Sequence, residues 1–345
     1  MAAAVVRWLL APLHAAALAT GAKSFVDNPL IGSPRLNAAG LHRRRAALAH
    51  RMAWARRRRL ADRLPAADRA AFDAQGFVAI PDFLGGDDFA ALRDAILSGR
   101  FPAREMVQGD TITRRIPIGP EMLAAVPALA RLFADRRWRG ILRYAGSYDS
   151  EPRFYVQTIL AGVHDAPPDP QLHLHADTFH PTVKAWLFLT DVAADEGPLT
   201  YVAGSHRMTP ARLAWEQRQS EALSAGGGDR LSQRGSLRIR ADELPALGLP
   251  PATAFAVPAN TLVVADTCGF HARGPSLRPS IRVEIWGYGR RSPFLPWTGL
   301  DPLSRPGLAE RRAGWWLRLI DRLAARGWAG QPWRDVGVKG AADPA

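Results

Sequence analysis

Between residues 171 and 181 the chain reads "QLHLHADTFHP", with three histidines and one aspartate in eleven positions. Structural segments rarely gather these types, whereas a metal site needs them. Side chains of a strand alternate faces, so His175 and Asp177, two apart, are expected to project into one cavity. An imidazole beside a carboxylate supplies two ligands for a borderline metal. A third ligand from another strand would complete one face of an octahedron and leave the opposite face open, the arrangement suited to non-haem iron. The pair alone is a weak signal, so the third ligand matters. Two histidines compete for that place: His271 in "NTLVVADTCGFHARG" and His206 in "VAGSHR". Arg282 lies eleven residues beyond His271 in the otherwise apolar "SIRVEIWGYG". A buried arginine requires a carboxylate partner, and a dicarboxylate cosubstrate would supply one.

The elements that must hold these residues read as strands. The chain has 345 residues, 47% hydrophobic and 22% charged, with 30 glycines and 28 prolines. That composition suits one large core rich in turns rather than a helical bundle. "FVAIPDF", "RFYVQTILAGV", "LHLHADTF", "KAWLFLTDV", "TYVAGSHR", two strands within "TAFAVPANTLVVADTCGFHARG", and "SIRVEIWGYG" are each expected to be strands. Their spacing predicts an antiparallel sandwich or barrel. Helices are expected from Asp87, over about 121–134, and after the cap Thr209-Pro210. The single cysteine, Cys268, excludes an internal disulfide and a cysteine-built zinc site.

Charge is unevenly distributed. Residues 1–64 carry twelve Lys/Arg against two Asp/Glu, a net +10 of the chain's +13. We therefore expect a basic, partly apolar N-terminal extension over 1–64, a folded β domain over 65–300, and an amphipathic C-terminal helix and tail over 301–345. The first 22 residues are interrupted by Arg7, Pro12 and His14, too broken for a membrane span or a signal peptide. The arginine-rich stretch 43–64 reads as a helix facing solvent or acidic lipid. No nucleic-acid-binding pattern accompanies its arginines.

Several of these stretches together resemble the phytanoyl-CoA dioxygenase family of iron(II)- and 2-oxoglutarate-dependent enzymes. "GFVAIPDFL" resembles its first strand and "HAD" its H-x-D motif. "KAWLFLTDVAADEGPLTYVAGSHR" resembles its most distinctive run, and "FHARGPSLRPSIRVEIWGYG" its distal histidine and arginine. The resemblance covers roughly residues 72–290. It implies a mainly β fold with flanking helices around a double-stranded β-helix (jelly-roll, cupin-like) core. It further implies His175, Asp177 and His271 as iron ligands, Arg282 as the grip on the distal carboxylate of 2-oxoglutarate, and no metal role for His206. Lys184, if directed inward, would add a charge partner for 2-oxoglutarate or for an anionic substrate. Gln157 or Thr158 is expected to line the cosubstrate pocket, and Trp186 to pack beside it.

The function expected is an iron(II)- and 2-oxoglutarate-dependent dioxygenase that uses O2 to hydroxylate an unactivated C–H bond. Its substrate would be a small molecule of amphipathic or lipid-like character. The expected location is cytoplasmic, with peripheral contact to anionic membrane through residues 1–64. Two rivals are a non-enzymatic, membrane-associated lipid-binding jelly roll with a vestigial site, and a cupin-like metalloenzyme without 2-oxoglutarate. The intact ligand set weighs against the first and Arg282 against the second.

Overall fold

The computed structural model describes residues 11–345, so the first part of the interrupted N-terminal stretch, Arg7 included, lies outside the described residues. Period-two alternation sorts the side chains of the long strands into an outer and an inner set. The strands are β1 (Phe77–Ile80), β2 (Arg100–Gln108), β3 (Thr111–Pro117), β4 (Arg153–Ala161), β5 (Val183–Phe188), β6 (Leu199–Tyr201), β7 (Thr253–Ala254), β8 (Leu262–Asp266), β9 (His271–Arg273), β10 (Ser280–Gly289) and β11 (Arg334–Gly340). Eight of them form one sheet in the order β1-β8-β5-β10-β4-β3-β2-β11, and β7-β6-β9 form a second. Every pairing is antiparallel.

The outer face of the large sheet presents Val156, Ala185, Leu187, Val264, Val283 and Ile285. These pack with Leu92, Leu129, Trp138 and Ile141 from helices Gly86–Ser98, Pro127–Ala134 and Arg136–Gly146. Each buried valine, leucine or isoleucine among them contributes roughly 1.5–3 kcal/mol. The inner face turns toward the small sheet, and a cavity of about 580 Å³ opens there, lined from both sheets. This is the double-stranded β-helix core with flanking helices. The hairpin β2–β3 and the last strand β11 were not expected from the sequence. "RDVGVKG" in β11 has only two apolar residues, Val336 and Val338, too few to mark a strand, and it pairs with the edge of β2.

The N-terminal arginine helix departs from expectation. Helix Leu41–Arg59 buries Ala46, Ala49 and Ala53, small residues that allow close approach. It also buries arginines. Arg57 donates to the carbonyls of Tyr144 (3.1 Å) and Ala145 (2.7 Å) and pairs with Asp266 at 2.7 Å, both side chains being fully buried. Arg56 donates to the carbonyls of Ser147, Pro293 and Leu295. Arg45 reaches those of Leu18, Thr20 and Ala22. His42 lies 2.6 Å from Glu216 on helix Pro210–Ser224. A helix facing only solvent or lipid is therefore corrected: Arg43, Arg44, Arg51, Arg58 and Arg59 are exposed, but the opposite face is packed. A boundary at residue 64 cuts through these contacts. No described helix is long and apolar enough to cross a membrane.

Candidate metal centre in a cationic cavity

His175 and Asp177 do not lie on a strand. The His175 amide donates to the His271 carbonyl and the His271 amide to that of His175, each at 3.0 Å. The next amide, of Ala176, turns to Leu237 O, and that of Asp177 to Thr267 O, both at 2.9 Å. The segment divides its hydrogen bonds among three neighbours, so only isolated bridges, of His175 to His271 and to Arg238, form where "LHLHADTF" suggested a ladder. Extended backbone at the His271 bridge still sends both side chains to one side, and it ties the first ligand directly to β9.

His175, Asp177 and His271 bring one ligand atom each to within 4.8 Å of one another. Nε2 of His175 is 3.8 Å and Nε2 of His271 3.7 Å from Asp177 Oδ1. Both imidazoles have Nδ1 at a backbone carbonyl, His175 at His173 O (2.8 Å) and His271 at Gly269 O (3.0 Å). A carbonyl only accepts, so Nδ1 carries the proton and Nε2 presents a lone pair to the common point. Burial lowers the pKa of His175 to about 3 and that of His271 to about 4, which keeps both neutral. Burial alone would raise Asp177, but the Lys184 ammonium beside it outweighs that and holds the carboxyl well below the usual range. Two neutral nitrogens and one carboxylate oxygen, oriented from behind, fit a divalent iron. They are the only such cluster among the described residues.

The cavity wall is set by register. Across β3, β4 and β10, Arg115 faces Gln157 and Gln157 faces Glu284; one step along, Tyr155, Trp286 and Trp186 align across β4, β10 and β5; the next step aligns Arg153, Tyr288 and Lys184. Lys184 is directed inward, 2.6 Å from Asp177 Oδ2 and 3.5 Å from His271 Nε2. Trp186 lines the cavity. Of the pair left open, Gln157 faces inward, donating to Glu284 Oε1 at 2.6 Å, while Thr158 turns outward to Ala341 O. Arg282 is buried and lines the cavity. Its Nη1 reaches Gly197 O at 2.5 Å, and its Nε donates to Glu284 Oε2 at 3.0 Å. The carboxylate partner expected for it is thus partly supplied by the protein, two residues along the same strand.

His206 lies elsewhere, its ring packed near Trp54 and Phe72. Of the remaining histidines in the opening motif, His180 binds Pro181 O and the His173 side chain does not join the cluster. Several lining residues escaped the sequence reading: Lys23, Arg115, Arg153, Arg273, Trp286 and Trp333. A usable signal existed for one of them. Gly109-Asp110 between "EMVQ" and "TITRRIP" marks a hairpin, whose alternation would have put Arg115 and Thr113 on one face. No local pattern could have brought Trp333 or Lys23 to the same wall.

The profile of the family described as Phytanoyl-CoA dioxygenase (PhyH) matches residues 72–242. Over this segment, just under half of the chain, the protein is similar to the phytanoyl-CoA dioxygenase family. An ectoine dioxygenase of Halomonas elongata is 32% identical over 161 residues, 42% of this chain and 47% of that protein. The matched region thus spans about half the length of that curated relative. Among solved structures, HygX from Streptomyces hygroscopicus with nickel and 2-oxoglutarate bound aligns at 20% identity and a TM-score of 0.42, over 66% of this chain and 87% of that one. EctD from S. alaskensis with bound Fe aligns at 19% identity and a TM-score of 0.36, over 72% of this chain and 84% of that one.

Proposed function

We propose that this protein is an iron(II)- and 2-oxoglutarate-dependent dioxygenase of the phytanoyl-CoA dioxygenase family that hydroxylates an unactivated C–H bond of an amphipathic small molecule. The observation that carries the reading is the convergence of two neutral Nε2 atoms and one carboxylate oxygen at a cavity whose wall also holds a buried arginine. Iron bound there would supply the oxygen chemistry; the protein's part is to position and neutralise. His175, Asp177 and His271 hold the metal on one side and leave the cavity side free for cosubstrate. Arg282 takes the distal carboxylate of 2-oxoglutarate, exchanging part of its bonding to Glu284 and Gly197. Gln157 holds Glu284 in place during that exchange. Lys184 sets the charge of Asp177 and is a second cation for an acidic ligand, and Trp186 walls the site from water. A lipid-binding jelly roll has no use for this ligand set, and a cupin-like enzyme without cosubstrate has none for Arg282.

The test is iron-dependent consumption of 2-oxoglutarate by the full chain. Asp177→Ala should reduce it by at least about a hundredfold and lower the bound iron with it, because a ligand and its charge are lost together. Wild-type protein that binds iron yet leaves 2-oxoglutarate unconsumed with O2 present would overturn the reading.

A further inference from the structure

The lining of the cavity holds eight Lys/Arg and a single carboxylate, Asp177. Most of those cations are already engaged. Arg104 pairs with Asp321, Arg273 with Asp169, Arg282 with Glu284 and Lys184 with Asp177. Lys23 and Arg290 donate to the carbonyls of Asp177 and Gly21. Like Lys23 and Arg290, Arg115 and Arg153 have no acidic partner within ion-pair distance among the described residues; unlike those two, they project from strands of the cavity wall, β3 and β4. Arg115 uses only Nε, which donates to Gln157 Oε1 at 2.9 Å. Its guanidinium carbon sits 3.9 Å from the Trp286 ring centroid and 4.4 Å from that of Trp333. The two rings orient the group and offset part of its desolvation, and its Nη atoms make no hydrogen bond. Burial lowers its pKa to about 10, so it remains a cation at neutral pH. The residue is half-buried, so its charge is kept beside two aromatic rings at a place where methionine or leucine would pack as well.

We infer that Arg115, assisted by Arg153, is the docking point for an acidic group of the primary substrate, a carboxylate or phosphate, whose apolar body lies against Trp286 and Trp333. This rests on the reading of the cavity as an oxygenase site and names the substrate class for it. The docking point is distinct from the 2-oxoglutarate grip. Arg282 and Arg115 are on strands separated by β4, about 10 Å across the sheet, and Gln157 and Glu284 lie between them. Lys184, at the metal ligands, is three strands from Arg115 in the order β5-β10-β4-β3, roughly 14 Å along a sheet that curves. An acid held at Arg115 therefore presents a carbon several bonds away from its charge to the metal. The C-terminal segment closes the same space, with Trp316, Ile320 and Trp333 on its lining, so the substrate is an elongated acid enclosed on an aromatic floor.

The test uses the full chain loaded with nickel and saturating 2-oxoglutarate, so that Arg282 is occupied and no turnover occurs. Calorimetry compares 4-phenylbutyrate with its neutral amide, and phenethyl phosphate with phenethyl alcohol. At least one acid should bind about tenfold or more tightly than its neutral counterpart, and which one does so distinguishes carboxylate from phosphate. Arg115→Gln should abolish that preference while leaving the 2-oxoglutarate Kd within about twofold. Arg115→Lys, which keeps the charge, should retain part of it, and its folding is checked by the same 2-oxoglutarate titration. Equal binding of acids and neutral counterparts, no binding of either acid, or a loss in Arg115→Gln of 2-oxoglutarate affinity instead of acid preference would each overturn the inference. Failure of 2-oxoglutarate itself to bind with nickel would instead defeat the reading of the site on which it rests.

Discussion

At the scale of single residues, Arg282 shows how far a local pattern carries. An arginine alternating with Val283 and Ile285 had to be buried on the opposite face of the strand, and it is. Its partner could not be read, because Glu284 is also inward and takes the Nε hydrogen. The guanidinium thus has Nε committed to Glu284 and Nη1 to Gly197, and it must release part of that bonding to take a dicarboxylate. Lysine keeps the charge but lacks the fork that can hold Glu284 and a ligand at once. Arg282→Lys should raise the KM for 2-oxoglutarate by about tenfold or more, with a smaller effect on kcat. Steady-state kinetics varying 2-oxoglutarate at saturating iron measure this, and an unchanged KM would remove Arg282 from cosubstrate binding. The cluster of His175, Asp177 and His271, proposed here to hold the metal, was legible for a different reason. Metal ligation restricts residue type so strongly that an H-x-D and a distal histidine stand out, even where the strand assigned to the first pair is absent.

At the scale of elements, several helices and the strands β1, β4, β5, β8 and β10 announced themselves in the sequence, whereas the β2–β3 hairpin, β11 and partners buried by tertiary contact did not. Thr209 accepts from the Arg212 amide at the helix start where the cap was expected. Phe89, Leu92 and Ile96 bury as one stripe. Nothing in "WARRRRL" distinguishes Arg56 and Arg57 from Arg58 and Arg59, because what selects them is the set of carbonyls and Asp266 waiting on other elements. The Arg57–Asp266 pair has both members buried, so removing one leaves an uncompensated charge. Asp266→Asn should destabilise the fold by about 3–5 kcal/mol, read from denaturant unfolding at pH 7. The same region gives a pH dependence. Burial lowers His50 from 6.5 to about 4, and His206 to about 3. Their neutral forms belong to the folded state, so the unfolded chain binds more protons below pH 6.5. Stability is fully present above 6.5 and is lost as pH falls toward 4. The unfolding midpoint should therefore drop between pH 7 and pH 5, and drop less in His50→Phe. Parallel slopes in the two proteins would show that His50 contributes none of it.

At the scale of the whole molecule, the N-terminal basic segment was legible as charge and illegible as structure. Composition located the net +10 of residues 1–64 but could not tell a packed arginine from a free one. Because Arg45, Arg56 and Arg57 anchor that segment to the core, and Lys23 reaches the Asp177 carbonyl beside the metal ligands, a chain beginning at residue 65 should lose soluble folded protein. It cannot serve to isolate a membrane role. The segment's contact with anionic bilayers remains our proposal for the exposed side, and it now has defined members. Arg43, Arg44, Arg51, Arg58 and Arg59 are exposed on one helix, and each cation near such a surface contributes about 1 kcal/mol within a Debye length. Attraction of that kind is screened by salt. Replacing these five by glutamine leaves every buried hydrogen bond of the helix in place, so the fold and the 2-oxoglutarate turnover should persist. Co-sedimentation with phosphatidylserine vesicles should be strong for the wild type at low salt, weak at high salt, and weak at both for the variant. Equal sedimentation of the two proteins at low salt would return the exposed arginines to a solvated helix face.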